Sequence, residues 1–145
     1  MWAGIAVLVA IVAVLALRPA GGGFRDVDAA GVASAVEKGA QLVDVRTEGE
    51  FQMGHIEGAV NIPLNRLEAA AQGWDRDRTY VIYCATGERS LTAMQIMETL
   101  GFTDVLHFAA GIQAWDGPLV QGAADPSSAI QTDGKPVMIE FYTDA

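Results

Sequence analysis

Apolar residues divide the chain into an unbroken apolar start, a middle of short periodic segments, and a polar stretch before an apolar end. Over residues 28–38, Ala29, Val32, Ala33 and Val36 recur at helical spacing, with Asp28 as N-cap and Gly39 as stop, which predicts a helix. Residues 41–45 and 79–84 are short apolar runs, rich in β-branched and aromatic side chains, with little polar alternation. Strands buried on both faces of a parallel sheet read this way. Residues 90–100 place Ala93, Met97 and Leu100 on one helical face and end at Gly101. Residues 105–108 read as a further strand and 112–115 as a short closing helix. Alternating strands and helices predict an α/β domain around a central, mostly parallel sheet.

The two ends carry different signals. Residues 1–17, from Met1 to Leu17, hold no charged side chain. At about 1.5 Å per residue they make a helix of roughly 25 Å, just under a hydrocarbon thickness of about 30 Å. Trp2 and Arg18 stand where interface anchors belong, and Arg18 can snorkel to lengthen the span. A secretory signal normally carries Lys or Arg ahead of its apolar run, and here only the α-amino group does so. An uncleaved membrane anchor is therefore expected over residues 1–18, with a cleaved signal as the alternative. Arg18 and Arg25 tilt the soluble part toward the cytoplasm, the periplasm or exterior being the other possibility. Three consecutive glycines make residues 19–23 a flexible spacer. Residues 24–121 form the domain, 122–135 a linker of Gly, Ala, Asp, Pro and Ser, and 136–145 an apolar strand with no partner in sight.

Charge and cysteine content narrow the chemistry. A net charge of −9 repels phosphate backbones, so nucleic acid is excluded as a partner. One cysteine and two histidines leave no internal disulfide and no structural zinc site, and no cofactor is expected.

The one cysteine, Cys84, falls at the carboxyl end of the 79–84 strand, where ligands bind in open α/β sheets. Ala85, Thr86, Gly87, Glu88, Arg89 and Ser90 follow, and then a helix. Successive N–H groups in such a loop form an anion-binding nest, and the helix N-terminus adds its positive dipole end. Both favour a thiolate, the reactive form of cysteine. Most lone cysteines are small buried hydrophobes; Gly87, Arg89 and the following helix favour catalysis here.

These residues resemble those of the rhodanese-like domains over about residues 24–121. Leu42-Val43-Asp44-Val45-Arg46, Glu50-Phe51, Gly54-His55-Ile56-Glu57-Gly58-Ala59 and Asn61-Ile62-Pro63-Leu64 are similar to the family's first block. Val81-Ile82-Tyr83-Cys84 with Gly87, Arg89 and Ser90 resembles its active loop; Gly101-Phe102, Val105, Gly111 and Trp115 resemble its closing segment. The resemblance implies a three-layer rhodanese fold and a sulfurtransferase of the thiosulfate class working through a Cys84 persulfide. In it the loop N–H groups hold the outer sulfur, Arg89 orients the donor anion, and a thiol acceptor takes the sulfur. A noncatalytic binding module and a cysteine-dependent phosphatase are the rival readings. Four residues separate Cys84 from Arg89, against five in the phosphatase pattern of this general fold.

Neighbouring residues receive supporting roles. Asp44 and Arg46 are expected on opposite faces with separate jobs, Asp44 accepting hydrogen bonds that hold the loop and Arg46 anchoring a turn at 48–53; a structural ion pair is the alternative. His55 is expected to be a packed, hydrogen-bonded structural histidine, and His107 receives no role. Glu88 opposes both thiolate and dianionic donor unless it points outward. Residues 135–145 resemble the strand that enters the active site of thioredoxin-like domains, which implies a continuation whose dithiol would accept the sulfur, a tail that happens to be apolar being the alternative.

Overall fold

The computed structural model describes residues 22–124 and 130. The expected anchor at 1–17 and the expected strand at 136–145 lie outside the described residues. No helix among the described residues is long and apolar enough to cross a membrane.

The chain runs β1 (Phe24–Val27), α1 (Ala29–Glu37), β2 (Gln41–Asp44), α2 (Glu48–Met53), β3 (His55–Ile56), β4 (Val60–Asn61) and α3 (Leu64–Ala70). A 3-10 turn (Ala71–Gly73), β5 (Tyr80–Tyr83), α4 (Glu88–Thr99), β6 (Val105–Phe108), a second 3-10 turn (Ile112–Ala114) and β7 (Leu119–Val120) complete it. Five strands form one parallel sheet in the order β1-β6-β5-β2-β4, while β3 and β7 pair antiparallel as a small separate ladder. The α/β architecture with a parallel central sheet agrees with the alternating sequence pattern.

Both faces of the sheet are covered, which is why β2, β5 and β6 are buried at every position. Val43, Ile82 and Cys84 point to one side, packed with Leu67 from α3 and Ala93 and Met97 from α4. Leu42, Val81, Tyr83, Leu106 and Phe108 point to the other, against Val32 and Ala35 of α1 and Phe51 of α2. The alternation follows from the period of two along a strand.

Several elements differ from their sequence reading. Residues 48–53 form a helix, not a turn: Thr47 Oγ1 accepts from Glu50 N–H, and the Glu50 carboxylate accepts from Thr47 N–H in return. This is a capping box, and its Thr-x-x-Glu spacing is visible in the sequence. Helix α4 begins two residues early, at Glu88. The closing segment is a single 3-10 turn.

Candidate active site

The β5 strand ends at Tyr83, and Cys84 opens the loop that leads into α4. Backbone bonds from both sides pin this loop: Ile112 N–H donates to the Cys84 carbonyl at 2.9 Å, and Val45 N–H donates to Tyr83 at 3.0 Å. Gly87 is the hinge. Its φ of +100° is left-handed, and a Cβ there would strike the Ala109 carbonyl. Gly87, the N-cap, has no side chain to satisfy the first N–H groups of α4, so they are open to an anion.

The sulfur of Cys84 faces them. Gly87 N–H lies 3.1 Å from Sγ and the Ser90 hydroxyl 3.4 Å from it. Burial alone pushes the thiol up; hydrogen bonds from the Ser90 hydroxyl and from the Ser90, Thr86 and Gly87 amides outweigh it, leaving the thiol below its ordinary value. The residue is 1% exposed, so only a small group reaches the sulfur without loop movement. Ala85 is half-buried and Thr86 exposed at the rim.

Arg89 stands at the rim with its guanidinium turned to Glu50. Nη1 and Nη2 donate to the two carboxylate oxygens at 2.8 Å each. The Arg89 hydrogen bond, more than any other cause, holds the Glu50 carboxyl down at about 2. The charge expected to greet a donor anion is thus already paired. The Cys84 charge also favours the protonated Arg89, so the guanidinium senses the sulfur. Glu88 is exposed, and solvent screens the carboxylate from the sulfur.

Asp44 and Arg46 correct the expectation of separate faces. Residues two apart share a side, and the pair is bidentate and buried, Arg46 Nη2 to Asp44 Oδ2 at 2.7 Å and Nε to both oxygens at 3.1 Å. Arg46 Nη2 also donates to the Gly54 carbonyl at 2.7 Å, which ties down the C-terminal end of α2. The Asp44 carboxylate also accepts from Arg46 N–H at 2.9 Å and acts on Tyr83, whose phenol is pushed up first by burial and then by the Asp44 charge. The pair braces the platform beneath the loop; neither side chain bonds to residues 84–90. His55 stacks on Phe51 at 3.6 Å, with Nδ1 2.9 Å from the Phe51 carbonyl.

The residue with no sequence signal is His107. It is buried on β6, yet Nε2 lies 2.9 Å from Ser90 Oγ and 3.0 Å from the Gly87 carbonyl, while Nδ1 lies 2.9 Å from Asp26 Oδ1. No short motif links positions 26, 90 and 107; only the β1-β6 register and the packing of α4 join them. Among the described residues no cluster of His, Cys, Asp and Glu could hold a metal ion.

Known proteins with related sequences and folds fit this geometry. The chain matches the rhodanese-like domain family over residues 28–117. It is 38% identical over 80 residues to the uncharacterized protein YqhL of Bacillus subtilis, covering 55% of this chain and 64% of that protein, just under two thirds. It is 37% identical over 78 residues to the thiosulfate sulfurtransferase GlpE of Shewanella oneidensis, covering 54% of this chain and 77% of that one. Its fold is similar to the human single-domain sulfurtransferase TSTD1, with 30% identity, a TM-score of 0.59, and coverage of 62% of this chain and 93% of that one. With more than half of its length matched, and with a parallel α/β sheet presenting a cysteine loop, this chain belongs to the rhodanese-like domain family.

Proposed function

We propose that the chain is a sulfurtransferase that carries sulfane sulfur on Cys84. The observation that supports this reading is the sulfur itself, set in a loop whose amides and Ser90 hydroxyl favour the thiolate. In the first half-reaction the Cys84 thiolate attacks the outer sulfur of a sulfane donor. With thiosulfate, the sulfur–sulfur bond breaks, sulfite leaves with the bonding pair, and a Cys84 persulfide anion remains. In the second, an acceptor thiolate attacks the outer sulfur and departs as a persulfide, returning Cys84 to the thiolate. The loop amides stabilise the anionic outer sulfur in the same way as the resting thiolate.

Thiosulfate as donor is supported by the resemblance to GlpE. A cysteine thiol acting as acceptor must come from another molecule or domain, since Cys84 is the one cysteine of this sequence. A thioredoxin-like dithiol fits that role. The apolar residues 1–17 would hold the enzyme at a membrane, the domain facing the cytoplasm. Transfer from thiosulfate to cyanide tests the reading: wild type should turn over and Cys84→Ser should not. Turnover retained by Cys84→Ser would remove the cysteine from the mechanism.

A further inference from the structure

The sulfur chemistry leaves the buried imidazole of His107 without a task. His107, 4% exposed, touches the catalytic loop through Nε2, which faces the Gly87 carbonyl at 3.0 Å and Ser90 Oγ at 2.9 Å. A carbonyl oxygen only accepts, so the contact with Gly87 is a hydrogen bond only when Nε2 carries a proton. Ser90 Oγ in turn lies 3.1 Å from the Gly87 carbonyl and 3.4 Å from Cys84 Sγ. Its hydroxyl has one proton, and both of these acceptors compete for it.

The proton on Nε2 settles that competition. When Nε2–H serves the Gly87 carbonyl and the Ser90 oxygen, the Ser90 proton is free to point at the sulfur. When Nε2 is bare, it becomes a third acceptor at the shortest distance, and the hydroxyl turns away from Cys84. We propose that His107 is a positioning residue for the nucleophile: its Nε2–H directs the single Ser90 proton onto Cys84 Sγ. Asp26 accepts only from a protonated Nδ1, so the Asp26 and Gly87 contacts are hydrogen bonds together when both ring nitrogens carry protons. The Ser90 hydroxyl bond named above, one of those holding the thiol down, is the one this arrangement secures.

Few charged groups face the ring. Asp26 approaches from β1, and Cys84 lies beyond the Ser90 hydroxyl. On β5 the register partner is Ile82, and Arg89 is turned to Glu50. The proposal rests on Cys84 as the nucleophile, but its test reads thiol ionisation and not sulfur transfer, so the two ideas can fail separately.

The experiment is the rate of Cys84 alkylation by iodoacetamide against pH. Ser90→Ala and His107→Phe should each move the midpoint upward by about one pH unit, roughly the worth of one hydrogen bond to a charged group. The double variant should move no further than either single one, because both remove the same bond. His107→Gln, which restores an N–H donor, should recover part of the loss. Additive shifts, or an unmoved midpoint in His107→Phe, overturn the proposal. Should His107→Phe fail to fold, the ring nitrogens of the wild type give the answer by 15N spectroscopy, since His55 and His107 are the only histidines. A protonated Nε2 on His107 through the pH range in which Cys84 ionises supports the proposal, and a bare Nε2 overturns it.

Discussion

Glu50→Gln separates the Arg89 charge from its partner while leaving the local fold in place. Glu50 accepts from Thr47 N–H at 3.0 Å inside the capping box and pairs with Arg89 through both oxygens. Glutamine fills a capping box as well as glutamate does, so only the ion pair is lost. Both side chains are 36% exposed, so solvent discounts the pair to ~1 kcal/mol or less, despite the low Glu50 value. The sign follows from that depression. A carboxyl at about 2 in the fold, against 4.5 when free, contributes stability that is complete above pH 4.5 and is lost as the pH falls through 2. Wild type should therefore lose up to ~1 kcal/mol more than Glu50→Gln on acidification through this window, as read by urea unfolding. The catalytic effect is the sharper one. With Glu50 neutral, Arg89 faces a dianionic donor unopposed, and a unit charge at contact distance in water contributes about 1 kcal/mol. The thiosulfate KM should fall about fivefold with kcat nearly unchanged. Initial rates with cyanide as acceptor measure both, and an unchanged or raised KM would refute the idea that Glu50 screens Arg89.

Three further outcomes are expected. Gly87→Ala should destabilise the fold by at least ~3 kcal/mol, because the left-handed backbone is strained and the new Cβ meets the Ala109 carbonyl; a melting temperature within a degree or two of wild type would contradict this. Arg46→Ala strands a fully buried Asp44 carboxylate and should cost about 3 to 5 kcal/mol in urea unfolding. A loss well under that would mean the pair is not buried in solution. Deleting residues 1–17 should move the protein from the membrane to the soluble fraction with its transfer activity intact; a deleted form that still sediments with membranes would end the anchor reading.

What could be read from the sequence was local. The strand leading to Cys84 and the helix after it stand out because a buried parallel strand is apolar at every position and α4 has a clear face and stop. The loop between them announces itself through Gly87 and the neighbouring helix start. β4, by contrast, is two residues long, too short for any period. β1, at the sheet edge, sets exposed Arg25 and Asp26 side by side between half-buried Phe24 and Val27, and so resembles a polar spacer. The site's long-range pairs were hidden for a different reason. Glu50 meets Arg89 across 39 positions and His107 meets Ser90 across 17, and strand order and register make those meetings, not spacing. Arg46 shows the reverse error: its partner Asp44 is two residues away on the same side, a relation that the period of a strand already contains.

The central claim is that Cys84 carries the transferred sulfur, and the most direct test is the intact mass of the purified protein after incubation with thiosulfate. The account predicts a gain of one sulfur atom on Cys84, removed by a dithiol reductant and absent in Cys84→Ser. An unmodified mass while the thiol still alkylates, or the same gain in Cys84→Ser, would contradict it.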